Sequence, residues 1–296
     1  MSTHRPRPRP FMQLDVFTRR PGMGNPLAVV LDAEGLSEQD MQAIARWTRL
    51  PETTFVLPPS DAHSSYRLRM FSPRREVPFA GHPSVGTAYA VLLAGLATPR
   101  DGLLVQHGIA GKLPLKVQGE GETLSIAIRA PRAHLLETTT ANDSRFGRAL
   151  ADLPLGSLPP ALMDGGRRWW LVEVADEASL RAAAPNWDAI AALAQTTESM
   201  GICAYARSSN TDYALAVRAW VGSGTPFEDA ASGAANATLA AWLNLRAALP
   251  DGQRDYRVSQ GREIGYDALL ALSVDEAGDV WSGGQVCRVI DGQIFW

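Results

Sequence analysis

The chain has 296 residues, 46% hydrophobic and 20% charged, with a net charge of -3 at pH 7. That balance fits a globular protein of two domains, and it excludes nucleic acid or an anionic membrane as the main partner. The two cysteines, Cys203 and Cys287, cannot build a disulfide framework or a zinc site by themselves. No apolar run reaches the ~18 residues of a membrane helix, and the N-terminus lacks an apolar signal core, so the expected location is the cytoplasm.

Residues 1–10, with Arg5-Pro-Arg-Pro-Arg-Pro10, read as a disordered tail. Alternating apolar residues predict strands at 11–17 and 27–31, joined by the Gly- and Pro-rich turn 20–26. Ser37 followed by Asp40 is a variant capping box, and Met41, Ile44 and Ala45 then share one face of a helix ending near Pro51. Strands follow at 53–57, with Glu52 at its mouth, and at 66–71. Next comes Pro78-Phe-Ala-Gly-His82-Pro83-Ser84-Val85-Gly86, a turn running into a segment apolar on nearly every side. Such a helix belongs inside a domain. Short strands are expected at 102–105, 113–117 and 124–128. Residues 131–160 look irregular, apart from a short helix at 145–150. A strand at 169–174, two short helices at 178–184 and 188–194 (the second capped by Asn186), and strands at 200–206 and 213–221 lead to a second Gly-rich turn, 222–229. A second apolar helix at 234–245 and strands at 256–259, 269–274 and 286–296 complete the chain, the last crossing back to the first domain.

The two apolar helices suggest a duplication. A shift of 147 residues carries Tyr66 onto Tyr213, Leu68 onto Leu215, His82 onto Asp229 and Gly86 onto Gly233. Strand-rich halves with one buried helix each predict an α+β fold of two similar domains, each a β-roll around its helix. The expected domains are 11–118 plus 286–296, and 119–285.

Chemistry concentrates at the helix entrances. With Pro83 as first helical residue, the N–H groups of Ser84, Val85 and Gly86 lack helical partners and form an anion site beside His82 and Gly81. Ser232, Gly233 and Ala234 are the matching donors of the second half. His82 alone reads equally well as a capping or core residue, Asp229 as a helix cap, and Glu52 as a solvated strand end. Their coincidence at matched entrances makes them catalytic candidates. Other motifs fail. Gly222-Ser-Gly224 lacks the third glycine of a dinucleotide loop, since Phe227 stands there, and no P-loop occurs. The five histidines show no metal-ligand spacing.

Asp15-Val-Phe-Thr18, Gly24-Asn25-Pro26, Glu52-Thr-Thr-Phe-Val56, Glu76-Val-Pro-Phe-Ala-Gly-His82-Pro83, Glu228-Asp229-Ala-Ala-Ser-Gly233, Gln260-Gly261 and Gly283-Gly284 follow one another in this order. The set resembles the phenazine-biosynthesis isomerase family. The resemblance implies a diaminopimelate-epimerase-like fold with the site between two similar domains, and proton transfer without cofactor or metal. It implies a small carboxylate substrate, with Glu52 moving the proton and His82 and Asp229 orienting and assisting. A homodimer is the expected assembly. Ala230 and Ala234 depart from the family's Pro and Ser, which bears on substrate more than on reaction type. The alternatives are an amino-acid racemase or epimerase, whose thiol pair would sit at the helix entrances where neither Cys203 nor Cys287 lies, and a catalytically silent binder of the same fold.

Overall fold

The computed structural model describes residues 6–296 except 141 and 152. The chain opens with β1 (Pro8–Val16), β2 (Asn25–Val30), α1 (Glu38–Thr48), β3 (Glu52–Leu57), β4 (Tyr66–Phe71), α2 (Gly81–Leu93), β5 (Leu103–Gly108), β6 (Gly111–Gln118) and β7 (Ser125–Arg129). It continues with β8 (His134–Thr138), β9 (Ala161–Asp164), β10 (Arg168–Glu173), α3 (Glu177–Ala182), α4 (Trp187–Thr196), β11 (Gly201–Arg207), β12 (Leu215–Val221), β13 (Phe227–Asp229) and α5 (Gly233–Leu245). After these come β14 (Asp255–Gln260), β15 (Ala268–Val274), β16 (Val280–Gly284) and β17 (Val286–Phe295). The fold is α+β in two compact units: residues up to Arg129 with Gly283–Trp296, and Ala130–Ser282.

In the first unit, β1 pairs antiparallel with β2, β2 parallel with β3, β3 antiparallel with β4, β4 parallel with β5, and β5 antiparallel with β6. Each parallel step needs a helical crossover, which α1 and α2 supply. Ser37 and Asp40 form the reciprocal box that starts α1. The helix then lays Met41, Ile44 and Ala45 into a cluster with Val30, Phe55, Phe71 and Ile294. Helix α2 has no polar face. Val85, Ala88, Ala90 and Val91 are fully buried, and it touches β1, β2, β3, β5, β7 and β17. Gly86 is required there, since a Cβ would lie 2.6 Å from Leu27 Cδ2 and 2.8 Å from Val16 Cγ2.

The second unit repeats this order. β9 and β10 are antiparallel, β10 and β11 parallel, β11 and β12 antiparallel, β12 and β14 parallel, and β14 and β15 antiparallel. Helices α3 and α4 serve the first crossover. Helix α5, all but enclosed, serves the second and touches β9, β10, β11 and β15. The repeat is displaced from the spacing read in the sequence. The first α-helical bond of α2 runs from Ser84 N to Ala80 O and that of α5 from Asn236 N to Ser232 O, 152 residues apart rather than 147. The letters align the two turns, whereas the backbone aligns the two helices.

Three further expectations change. Pro8, Arg9 and Pro10 belong to β1, paired with Phe295, Ile294 and Gln293 of β17, and Arg7 exchanges both backbone bonds with Trp296, so the tail read over 1–10 reaches at most to Pro6. Residues 1–5 lie outside the described residues. The first unit extends past 118 because β7 pairs with β6. The short helix expected at 145–150 is a run of turns, and the segment read as irregular contributes β8, which pairs with β9.

Candidate active site

In the first unit, Glu52 opens β3 opposite Leu27 of β2. The side chain is 18% exposed, and its Oε2 lies 3.5 Å from His82 Nε2. Thirty residues of chain therefore separate two groups that the β3–β4–α2 turnaround brings together. His82 is the second residue of α2, not a residue ahead of it, and Pro83 is the third. Proline suits either position, since neither N–H would have a helical partner. The His82 ring is 9% exposed and bonds the backbone carbonyl of Pro26, the last residue of the Gly24-Asn25-Pro26 turn. That bond uses the ring's one N–H at Nδ1, because Nε2 has no hydrogen-bond partner. Burial pushes the imidazole down to about 3, with the Pro26 bond opposing. His82 is therefore neutral at pH 7, presenting the Nε2 lone pair to a carboxyl oxygen. It can accept a hydrogen bond from Glu52 only when Glu52 is protonated.

The earlier helix start moves the anion donors. Ser84 N is spent on Ala80 O at 3.3 Å, and Val85 and Gly86 follow it into the helical ladder. The N–H groups of Gly81 and His82 are the ones left without a helical acceptor, so Gly81 stands as a candidate and Ser84, Val85 and Gly86 are corrected. Ser84 has a different task. Its hydroxyl donates to Ala80 O at 2.9 Å and accepts from Nε2 of buried Gln106 at 3.0 Å.

In the second unit, Asp229 closes β13 opposite Ala219 of β12. It is not the cap of α5. That role belongs to Ser232, whose hydroxyl accepts from Ala235 N. Asp229 takes the N–H of Ala231 at 3.3 Å. Desolvation raises its carboxyl above the ordinary range, opposed by Ala231, Ser232 and the charge of Arg167. Gly233 and Ala234 keep N–H groups without helical acceptors, while Ser232 N is given to Gln260 Oε1 at 3.2 Å. By position in the helix, the counterpart of His82 is Ala234 and not Asp229. The carboxylate and imidazole therefore do not occupy equivalent positions in the two units.

Two supports went unread in the sequence. Gln260, fully buried at the end of β14, donates to Asp229 O at 2.7 Å and accepts from Ser232 N and from Asn236 Nδ2 at 2.7 Å. It fastens the loop from β13 to α5 along its length. Glu228, next to Asp229, forms a bidentate pair with Arg218 at 3.0 and 2.7 Å. Both side chains are at most 5% exposed. Arg218 also caps the carbonyls of Leu180 and Ala183 at the end of α3. The available signal was a glutamine on the strand after each apolar helix, at Gln106 and Gln260.

Cys203 is buried in β11, with its thiol pushed up to about 12 by burial, and Cys287 lies on β17. Neither thiol stands at a helix entrance. No helix among the described residues is long and apolar enough to cross a membrane.

The family described as Phenazine biosynthesis-like protein matches residues 14–290. A trans-2,3-dihydro-3-hydroxyanthranilate isomerase of Pseudomonas aeruginosa is 31% identical, over 93% of this chain and 94% of its own. A Schizosaccharomyces pombe protein called Antisense-enhancing sequence 1 is 30% identical, over 96% of this chain and 98% of its own. Among solved structures, a phenazine biosynthesis protein of the PhzF family from Bacillus anthracis superposes with a TM-score of 0.82. It is 25% identical, over 97% of this chain and 99% of that one.

Proposed function

The chain belongs to the phenazine biosynthesis-like family, and on that premise we propose that it is an isomerase that shifts a proton within a small unsaturated carboxylate. The observation that carries this reading is the Glu52–His82 pair, a carboxyl oxygen 3.5 Å from a neutral, partnerless imidazole nitrogen. Ionised Glu52 is the base that takes a proton from a substrate carbon. Once protonated, its O–H has the Nε2 lone pair of His82 as acceptor, so the proton is held in place until it returns to a second carbon. His82 keeps its tautomer through Pro26 and does not itself need to ionise. The N–H groups of Gly81 and His82, and those of Gly233 and Ala234, are helix-end donors suited to a carboxylate. Asp229, whose carboxyl desolvation holds above its ordinary range, has the proposed role of a second proton donor. Dihydro-hydroxyanthranilate-like cyclic acids are the first substrates to try, after the name of the Pseudomonas relative.

The test is solvent-deuterium incorporation into trans-2,3-dihydro-3-hydroxyanthranilate and a panel of small cyclic carboxylates. Glu52→Gln keeps the shape and removes the base. It should retain ligand binding while slowing exchange by about 10²–10⁴-fold. Equal exchange by both proteins would remove Glu52 from the mechanism. Tight binding without exchange in the wild type would favour a silent binder.

A further inference from the structure

Asp15 is a buried acid that the proposed chemistry leaves unused. It lies on β1 between Leu14 and Val16, both fully enclosed, and is itself 5% exposed. An apolar residue would serve the packing better, because a carboxyl loses its hydration on burial. That loss raises the acid above the ordinary range, against one opposing bond from a backbone N–H. The donor is Gly22, seven residues further on in the turn between β1 and β2, and it meets Asp15 Oδ2.

The turn is pinned at other points as well. Phe17, fully buried, has a left-handed backbone at φ 69°. A bulky residue keeps that conformation only where its surroundings over-determine it, and such residues gather at functional sites. Here the N–H groups of Phe17 and Thr18 both go to Gln285 O, at 2.8 and 3.1 Å. Residues 15–18 and 24–26, two stretches that the sequence singles out, are the two sides of this one turn. What the turn delivers is Pro26. That residue stands across from Asp15 on the β1–β2 ladder, lacks an N–H, and gives its carbonyl to the His82 ring. The next residue, Leu27, is paired with Glu52. The turn therefore leads directly into the carbonyl that orients the imidazole and the rung that carries the carboxyl. We propose that Asp15 is a positioning residue for the Glu52–His82 pair: by holding the N–H of Gly22 it aims the Pro26 carbonyl at His82 and keeps the ring proton on Nδ1. Its catalytic value rests on the proton transfer proposed for that pair. With Pro26 misaimed, the ring can carry its proton on Nε2 and donate to ionised Glu52. The base is then occupied, and the protonated acid has no acceptor.

Two-bond proton–nitrogen correlation NMR on the full chain, labelled with ¹⁵N-histidine, reads the tautomer at neutral pH without any substrate. His82→Asn identifies the His82 signals. The wild type should carry the proton on Nδ1. Asp15→Leu keeps the shape and removes the acceptor. It should move a large part of the population to the Nε2–H form and slow deuterium exchange into substrate by up to about 10²-fold. Its melting temperature should hold or rise, since a buried carboxyl is gone. A merely structural role for Asp15 predicts the reverse, a lower melting temperature with the tautomer unchanged. Asp15→Asn still offers an oxygen to Gly22 and should rescue both tautomer and exchange. Asp15→Val, a good strand former, repeats the test if Asp15→Leu does not fold. A wild type with the proton on Nε2, an Asp15→Leu protein with it on Nδ1, or an Asp15→Asn protein no better than Asp15→Leu would overturn the proposal. A shifted tautomer with wild-type exchange would support the tether and sink the proton-transfer reading of the pair instead.

Discussion

Replacing His82 with Asn should remove a large part of the acid sensitivity of the first unit. The imidazole is pushed down to about 3 in the folded chain, against 6.5 for the free side chain. As pH falls, the unfolded chain therefore binds this proton first. Stability from the buried neutral ring is complete above pH 6.5 and is lost progressively towards pH 3. At pH 5 the loss is set almost wholly by the unfolded value, because the folded group is still neutral there. It amounts to 1.5 pH intervals at ~1.36 kcal/mol each, about 2 kcal/mol. Asp15 and Asp229, both raised by burial, contribute with the opposite sign: each favours its protonated form, so acid stabilises them. They are common to both proteins and cancel in the difference. Hydrogen exchange of the α2 amides at pH 8 and pH 5 reads the opening free energy of that unit alone. The wild type should lose about 2 kcal/mol more than His82→Asn between these values. Equal losses would show that His82 is protonated without penalty and would refute the neutral-imidazole reading.

Gln260→Leu should destabilise the second unit by roughly 3 kcal/mol, since Asp229 O and Ser232 N lose their buried partner and Asn236 Nδ2 keeps only Ser232 O. Proteolysis within the β13–α5 loop would report the release. Glu228→Gln leaves the Arg218 guanidinium buried beside two carbonyls and a more distant carboxylate, Glu263, at 4.0 Å. It should cost about 3–5 kcal/mol in denaturant unfolding. Gly86→Ala should cost about 1–3 kcal/mol by crowding Leu27 and Val16, even though alanine is the better helix former. An unchanged melting temperature would mean that the two side chains yield freely.

Patterns that depend on neighbouring residues were legible. Ser37 with Asp40, the buried stripe of α1, the Asn186 cap of α4 and the all-round apolarity of α2 and α5 are each set within a few residues. What failed depends on partners distant in sequence. Pro8, Arg9 and Pro10 carry the composition of a disordered tail, yet β17 offers them a ladder from the other end of the chain. Residues 134–138 have little strand signal apart from their pairing with β9. At the site, residue types named Glu52 and His82, but only the parallel β2–β3 pairing and the bond to Pro26 fix which ring nitrogen faces the carboxyl. The sequence points to the wrong anion donors because Pro83 reads as the first helical residue, whereas the helix begins at Gly81. Proline is tolerated anywhere in the first turn, so it marks the turn and not its first residue.

The duplication shows which parts of the two halves are framework and which are chemistry. In each unit a buried glutamine stands on the strand after the central helix, where that strand begins or ends its parallel pairing: Gln106 across from Tyr66, Gln260 across from Val217. Each reaches a side chain one turn inside the helix, Ser84 or Asn236, at equivalent positions. Each of these side chains donates at 2.9 Å to the carbonyl of the helix N-cap, Ala80 or Ser232. Strand and helix entrance are thereby tied at one buried point in both units. Around that shared tie the entrances differ. The second helical residue is His82 in one unit and Ala234 in the other, and Gln106 Oε1 has no hydrogen-bond partner where Gln260 Oε1 has two. Gln260 Nε2, in turn, donates to the backbone carbonyl of Asp229, a bond with no counterpart among the described residues of the first unit. A frame that fixes helix entrances whatever residue stands at their mouths allows the reactive groups of the two halves to diverge without loss of position. That accounts for an imidazole–carboxyl pair in one unit and a single tethered carboxyl in the other.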